Sequence, residues 1–120
     1  MKINKGSTRN VLVFRRFVVK IPTLKEYRLF LNGILANLQE KEWSGHHPDL
    51  AKVIFCTRFG LFLVMEKAEV VSNNTNWQSF QTMIKEKYKD DDLKEFITSD
   101  TKPSNWGYVK NHLVKIDYGN

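Results

Sequence analysis

Asp100-Thr-Lys-Pro-Ser-Asn105 is followed, twelve positions after its asparagine, by Asp117-Tyr-Gly119. The residues between them read as a hairpin: Trp106-Gly-Tyr-Val109 runs out, Lys110-Asn111 turns, and Leu113-Val-Lys-Ile116 returns. Such a hairpin brings Asp100, Asn105 and Asp117 together. Upstream of it, Ser72-Asn-Asn-Thr-Asn76 is a polar stretch. It precedes a helical pattern through Trp77, Phe80, Met83, Ile84 and Tyr88, with a shorter one from Leu93 to Ile97. Further back, Lys52-Val-Ile-Phe-Cys56 and Leu61-Phe-Leu-Val-Met65 read as a hairpin of two buried strands, with Gly60 supplying the turn. From Thr23 to Trp43 the apolar residues Leu24, Tyr27, Leu31, Leu35 and Leu38 recur at helical spacing. Thr23 reads as its N-cap, Glu26 completes a T-x-x-E box, and Gly33 is the weak point. Asn10-Val-Leu-Val-Phe14 and Phe17-Val-Val-Lys-Ile21 read as adjacent antiparallel strands, the second ended by Pro22. Strands, helix, strands, helices and hairpin in that order predict an α+β fold with an antiparallel sheet.

The chain has 120 residues, which predicts a single domain spanning 1-120. A 42% hydrophobic and 27% charged composition excludes disordered, collagen-like and coiled-coil classes. The longest apolar run, Leu61 to Met65, is a strand's length, so no membrane span is expected. Met1-Lys2 is not followed by the apolar stretch of a secretory signal, and Cys56 has no second cysteine to pair with. These features together predict a reducing, cytoplasmic location. The net charge is +6, and the first 29 residues carry Lys2, Lys5, Arg9, Arg15, Arg16, Lys20, Lys25 and Arg28 against Glu26 alone. That concentration suits an anionic partner: a nucleotide phosphate, an acidic protein surface or a nucleic acid. The nucleic acid has the weakest support of the three, because no aromatic-spaced binding motif accompanies the charge.

The pair of motifs at the end resembles the protein kinase superfamily, whose catalytic loop reads D-x-K-P-x-N and whose metal-binding turn reads D-F-G with aromatic variation. The resemblance implies Asp100 as base near a substrate hydroxyl, with Lys102 in the same catalytic loop, and Asn105 and Asp117 as ligands of Mg²⁺ beside ATP. It also implies a strand lysine paired with a helix glutamate at the nucleotide phosphates. Phe17-Val-Val-Lys20 has the V-x-K shape, and Glu40 follows twenty residues later. Glu40 is preferred to Glu42 because it falls near the stripe of Leu31, Leu35 and Leu38. Leu61 to Met65, running into Glu66-Lys67-Ala68, resembles the last strand and hinge of the N-lobe, so backbone groups of Glu66 and Ala68 are expected at the adenine. Gly6-Ser7-Thr8-Arg9-Asn10 stands where the glycine-rich loop would be, with Gly6, Ser7 and Arg9 expected at phosphate.

The departures shape the expected function. The His-Arg of the catalytic loop is Thr98-Ser99 here, and the sequence ends at Asn120, directly after Asp117-Tyr-Gly119. The expectation is therefore a kinase-like N-lobe with a minimal remnant of the C-lobe, without an activation segment or the substrate-binding helices. Its function is read as a nucleotide- or partner-binding module acting on a host or regulatory protein with weak or no catalysis. The alternative is a compact Mg-ATP-dependent phosphotransferase. Short chains of this kind resemble phage or mobile-element proteins, which would place this one in a host cytoplasm. A homodimer or a protein partner is expected to cover the missing C-lobe face through Trp77, Phe80 or Trp106.

Other constellations read as structural. His46-His47 with Asp49 reads as a turn, because adjacent histidines point apart and no third ligand is near. His112 is expected to face solvent, Cys56 to be a small core residue, and Lys89-Asp-Asp-Asp92 to be a solvated helix end or N-cap.

Overall fold

A computed structural model describes residues 2–119, and every strand pairing among them is antiparallel. Contacts gather in two units, one comprising residues 1–67 with 118–120 and the other residues 68–117. The first boundary therefore falls within the Glu66-Lys67-Ala68 segment and the second inside Asp117-Tyr-Gly119. The fold class is α+β.

In the first unit, strands β1 (Lys2–Lys5), β2 (Arg9–Val13), β3 (Phe17–Pro22), β4 (Val53–Cys56) and β5 (Leu63–Glu66) form a sheet in the order β1-β2-β3-β5-β4. Helix α1 (Tyr27–Trp43) follows β3. The paired runs read at 10–14 and 17–21 are β2 and β3. Strand β1 carries no apolar alternation, because it is an edge strand exposed along its whole length, so its sequence offers no signal. It turns into β2 at Gly6, whose N–H donates to the Arg9 carbonyl at 2.8 Å. A Cβ there would lie 2.9 Å from that same oxygen.

Three expectations for this unit need correction. The helix begins at Tyr27 rather than Thr23: Glu26 is its extended N-cap with no side-chain capping bond, and buried Thr23 instead accepts from the Lys25 amide at 3.4 Å. The apolar stripe is not the buried face. Leu24 is 83% and Tyr27 74% exposed, and Leu31 and Leu35 are exposed as well, whereas Gly33, Ala36, Asn37 and Glu40 are buried. Close approach of helix to sheet explains the inversion, since a Cβ on Gly33 would lie 2.4 Å from the Thr8 carbonyl oxygen and 2.8 Å from the Pro22 Cα. Only small residues fit on that face at those points. Finally, β4 is an edge strand with Ile54 and Phe55 exposed, so the hairpin has one buried strand, β5, with Leu63 and Met65 in the core.

The second unit holds β6 (Glu69–Val70), α2 (Trp77–Lys87), α3 (Lys94–Ile97), a 3-10 turn at Pro103–Asn105, β7 (Trp106–Val109) and β8 (His112–Lys115). Its sheet has the order β6-β7-β8. Asn76, the last residue of the polar stretch, caps α2 by accepting from the Ser79 amide at 3.0 Å. Lys110 and Asn111 both have positive φ, 50° and 67°, the geometry of a two-residue hairpin turn. Trp106 is fully buried, with the rings of Phe80 and Tyr88 centred 6.1 and 6.0 Å away. Phe80 and Trp106 are thus core residues of their own unit and not anchors for a partner, while Trp77 stays half exposed with its indole N–H donating to Thr101 Oγ1 at 3.3 Å. No described helix is long and apolar enough to cross a membrane.

Candidate functional site

Strand β3 ends against α1, and this places Lys20 beside Glu40. The lysine Nζ donates to both carboxylate oxygens, at 2.9 and 3.1 Å, with both side chains buried. Arg9 of β2 reaches the same carboxylate: Nη1 donates to Oε1 at 2.7 Å and Nη2 to Oε2 at 3.0 Å. Asn37, one turn earlier on α1, steadies this pair by accepting from Arg9 Nη1 at 3.0 Å. Its own amide donates to the Lys20 and Gly60 carbonyls at 3.1 and 2.8 Å. The main-chain N–H groups of Tyr118 and Gly119 complete the set, donating to Glu40 Oε2 at 2.9 and 3.0 Å. Burial pushes the Glu40 carboxyl up, but Lys20 and Arg9 outweigh it and hold the group down at about 2. Burial and the neighbouring Glu40 charge raise the Tyr118 hydroxyl, which donates to the Ala51 carbonyl at 2.6 Å.

Arg9 therefore does not present its guanidinium to a phosphate; it lies inside the unit as a second counter-ion of Glu40. Gly6 likewise commits its N–H to the turn, and Ser7 is exposed at its tip. Glu66 does not offer its amide to an adenine. Its N–H donates to the Lys52 carbonyl at 2.9 Å, and its carboxylate accepts from the Lys52 N–H at 2.6 Å, tying the segment before β4 to β5. Ala68 opens the second unit, half buried.

In that second unit the segment from Asp100 to Asn105 closes on itself. Asp100 accepts from the Lys102 amide through Oδ1 at 3.0 Å and from Asn105 Nδ2 through Oδ2 at 2.5 Å, while its carbonyl accepts from the Trp106 indole at 3.1 Å. The Lys102 side chain is exposed. Asn105 is tied to the far end of the hairpin, since the Ile116 N–H donates to its carbonyl at 2.8 Å. That bond brings Asn105 beside the residue that precedes Asp117. Lys115, buried and absent from the motif, packs its Nζ against the end of α3, donating to the Phe96 and Ile97 carbonyls at 3.0 and 3.3 Å and to Ser99 Oγ at 3.2 Å. Burial lowers its pKa, and the charges of Asp100 and Asp117 act the other way. A single lysine thus lies within the field of both acidic residues of the motif.

The donor chemistry fits Mg²⁺. The described residues contain no group of three His, Cys, Asp or Glu side chains able to hold a metal. Mg²⁺, however, is usually held by one or two carboxylates with phosphate oxygens and water rather than by an all-protein cage. With its Nδ2 donating to Asp100, Asn105 would offer its hard amide oxygen to such an ion, and Asp117 would offer a carboxylate. His47 behaves as a turn residue, its Nδ1 accepting from the Asp49 N–H at 2.9 Å.

Sequence reasoning missed Arg9 as an internal counter-ion, Asn37 as its support, and Lys115. A readable signal existed for the first two: Gly33, Ala36, Asn37 and Glu40 share one helical face whose two small residues mark close packing. No protein-family model and no curated protein sequence matches the chain.

Proposed function

We propose that this chain is a kinase-like nucleotide- or partner-binding module that acts on a host or regulatory protein and transfers phosphate weakly or not at all. The observation that carries the reading is the Lys20–Glu40 pair, joined across strand and helix at 2.9 Å in a buried setting. A buried ion pair is a poor stabiliser compared with apolar packing of the same volume, so its presence fits a task beyond stability. The arrangement also lets Lys20 serve a phosphate without stranding a charge, because Arg9 stays on Glu40. In this reading Lys20 meets nucleotide phosphate, while Asn105 and Asp117 hold Mg²⁺, which neutralises phosphate charge when bound. Asp100 already accepts hydrogen bonds on both carboxylate oxygens. Each oxygen keeps a second lone pair, so the reading of binding over catalysis rests on Thr98-Ser99 standing where the His-Arg of a kinase catalytic loop would be. The alternative, a compact phosphotransferase, draws on the presence of Asp100, Asn105 and Asp117 in one hairpin-linked segment.

Thermal unfolding tests the reading. Mg-ATP at about 100 times its dissociation constant should stabilise the fold by roughly 2.7 kcal/mol, and ATP without Mg²⁺ by much less. Lys20→Met should abolish the shift and still fold, since Arg9 continues to neutralise Glu40. Absence of any shift at millimolar Mg-ATP would end the nucleotide reading.

A further inference from the structure

The sheet of the first unit has one face toward α1, where Arg9, Lys20, Leu63 and Met65 are buried. Its register places a different set on the opposite face. Ile3 pairs with Leu12, Leu12 with Val19, Val19 with Val64, and Val64 with Phe55, an apolar row across all five strands. At about 4.8 Å between strands, the row spans roughly 19 Å. Its outer members reach solvent: Ile3 is 52% and Phe55 56% exposed. Beside the row, Phe17 lies on the same face as Val19, is exposed, and stacks on Phe14 with ring centroids 4.9 Å apart.

Charge identifies the occupant. Lys5 lies on this face, paired with Asn10, and Arg15 and Arg16 form the exposed turn between Phe14 and Phe17. Of the eight basic residues in the first 29, only Arg9 and Lys20 are turned inward, so the other six leave the basic excess of this segment at the surface. The one acidic side chain among the paired residues of this face, Glu66, has its carboxylate on the Lys52 amide. Accessible phenylalanines on a face edged by solvated cations match an unpaired polyanion with aromatic rings. We propose that this face binds single-stranded nucleic acid, with bases stacked on Phe17 and Phe55 and phosphates met by Lys5, Arg15 and Arg16.

The test is fluorescence anisotropy of a labelled oligo(dT) of about fifteen nucleotides, titrated with the full chain at several salt concentrations. Three phosphate contacts predict a log–log salt slope of about −2, and Arg15→Ala with Arg16→Ala together should flatten it by about 1.4. Phe55→Ala and Phe17→Ala should each weaken binding roughly 5- to 150-fold. Phe55 is on an exposed edge strand, so its variant should keep the parent's circular dichroism. If Phe17→Ala fails to fold, Phe55→Ala and Arg15→Glu carry the test. Three results would overturn the proposal: a dissociation constant weaker than about 10⁻⁴ M at about 50 mM salt, equal affinity for a duplex, or binding indifferent to Phe55→Ala. Self-association that depends on Phe55, without oligonucleotide binding, would also overturn it and assign the face to a protein.

Discussion

Glu40 accepts from Arg9, Lys20 and the backbone N–H groups of Tyr118 and Gly119, so one carboxylate joins β2, β3, α1 and the backbone of Tyr118 and Gly119. Glu40→Gln would leave two buried cations without a counter-charge, and a cost of about 3–5 kcal/mol is expected in urea unfolding at neutral pH. The pH dependence follows from the lowered pKa. Because the folded value, about 2, lies below the ordinary 4.5, the unfolded chain takes up the proton first on acidification. The contribution is therefore complete above pH 4.5 and is lost as pH falls through about 2, so parent and variant should converge over that window. The rule that prefers Glu40 to Glu42 in the sequence, nearness to the leucine stripe, is reversed by the structure. Glu40 is buried because it lies opposite the leucine stripe, on the face with Gly33, Ala36 and Asn37. What marks it is the supply of cations from β2 and β3, and no spacing within the helix reveals that.

At the scale of the element, α1 shows how an apolar period can be read correctly and assigned to the wrong side. Periodicity identifies a face of uniform chemistry; burial depends on what approaches it. Gly33→Ala tests the close approach. Alanine gains about 1 kcal/mol in helix propensity, yet the new Cβ meets backbone atoms that cannot swing aside, and overpacking of this kind costs about 1–3 kcal/mol or more. The clash at 2.4 Å from the Thr8 carbonyl is severe, so net destabilisation is expected in thermal unfolding. Leu31→Lys and Leu35→Lys test the other face. Both residues are exposed, so each change should stay within about 0.5 kcal/mol of the parent, whereas a core stripe would lose several times that. By contrast, α2 was legible from its apolar spacing after a polar stretch, and the structure adds the cap. Asn76, Phe80 and Ile84 combine a local capping bond with a local apolar spacing, and both signals lie within a few residues of one another.

At the scale of the molecule, the two units carry different parts of the proposed chemistry, Lys20 and Glu40 in one and Asp100, Asn105 and Asp117 in the other. Asp100→Ala separates binding from transfer. Nucleotide affinity by calorimetry should stay close to the parent's, since Asp100 is not among the proposed phosphate or metal ligands. A binding module keeps its effect on the partner in this variant; transfer of γ-phosphate label that Asp100→Ala abolishes and Lys102→Ala preserves would establish the phosphotransferase instead. By itself the sequence determined the α+β class, the β2–β3 and β7–β8 pairs, the helices α2 and α3, and the residue types of the kinase-like motif. Each of these is written in alternation, turn chemistry or spacing over a few residues, where backbone sterics and local hydrogen bonds decide the outcome. Tertiary structure alone decided that Arg9 turns inward to Glu40, thirty-one residues away, that Lys115 caps α3 from β8, and that Leu31 and Leu35 of α1 face solvent. Those outcomes depend on which distant groups compete for one carboxylate, one set of carbonyls or one close-packed face, and that competition exists only once the chain has folded.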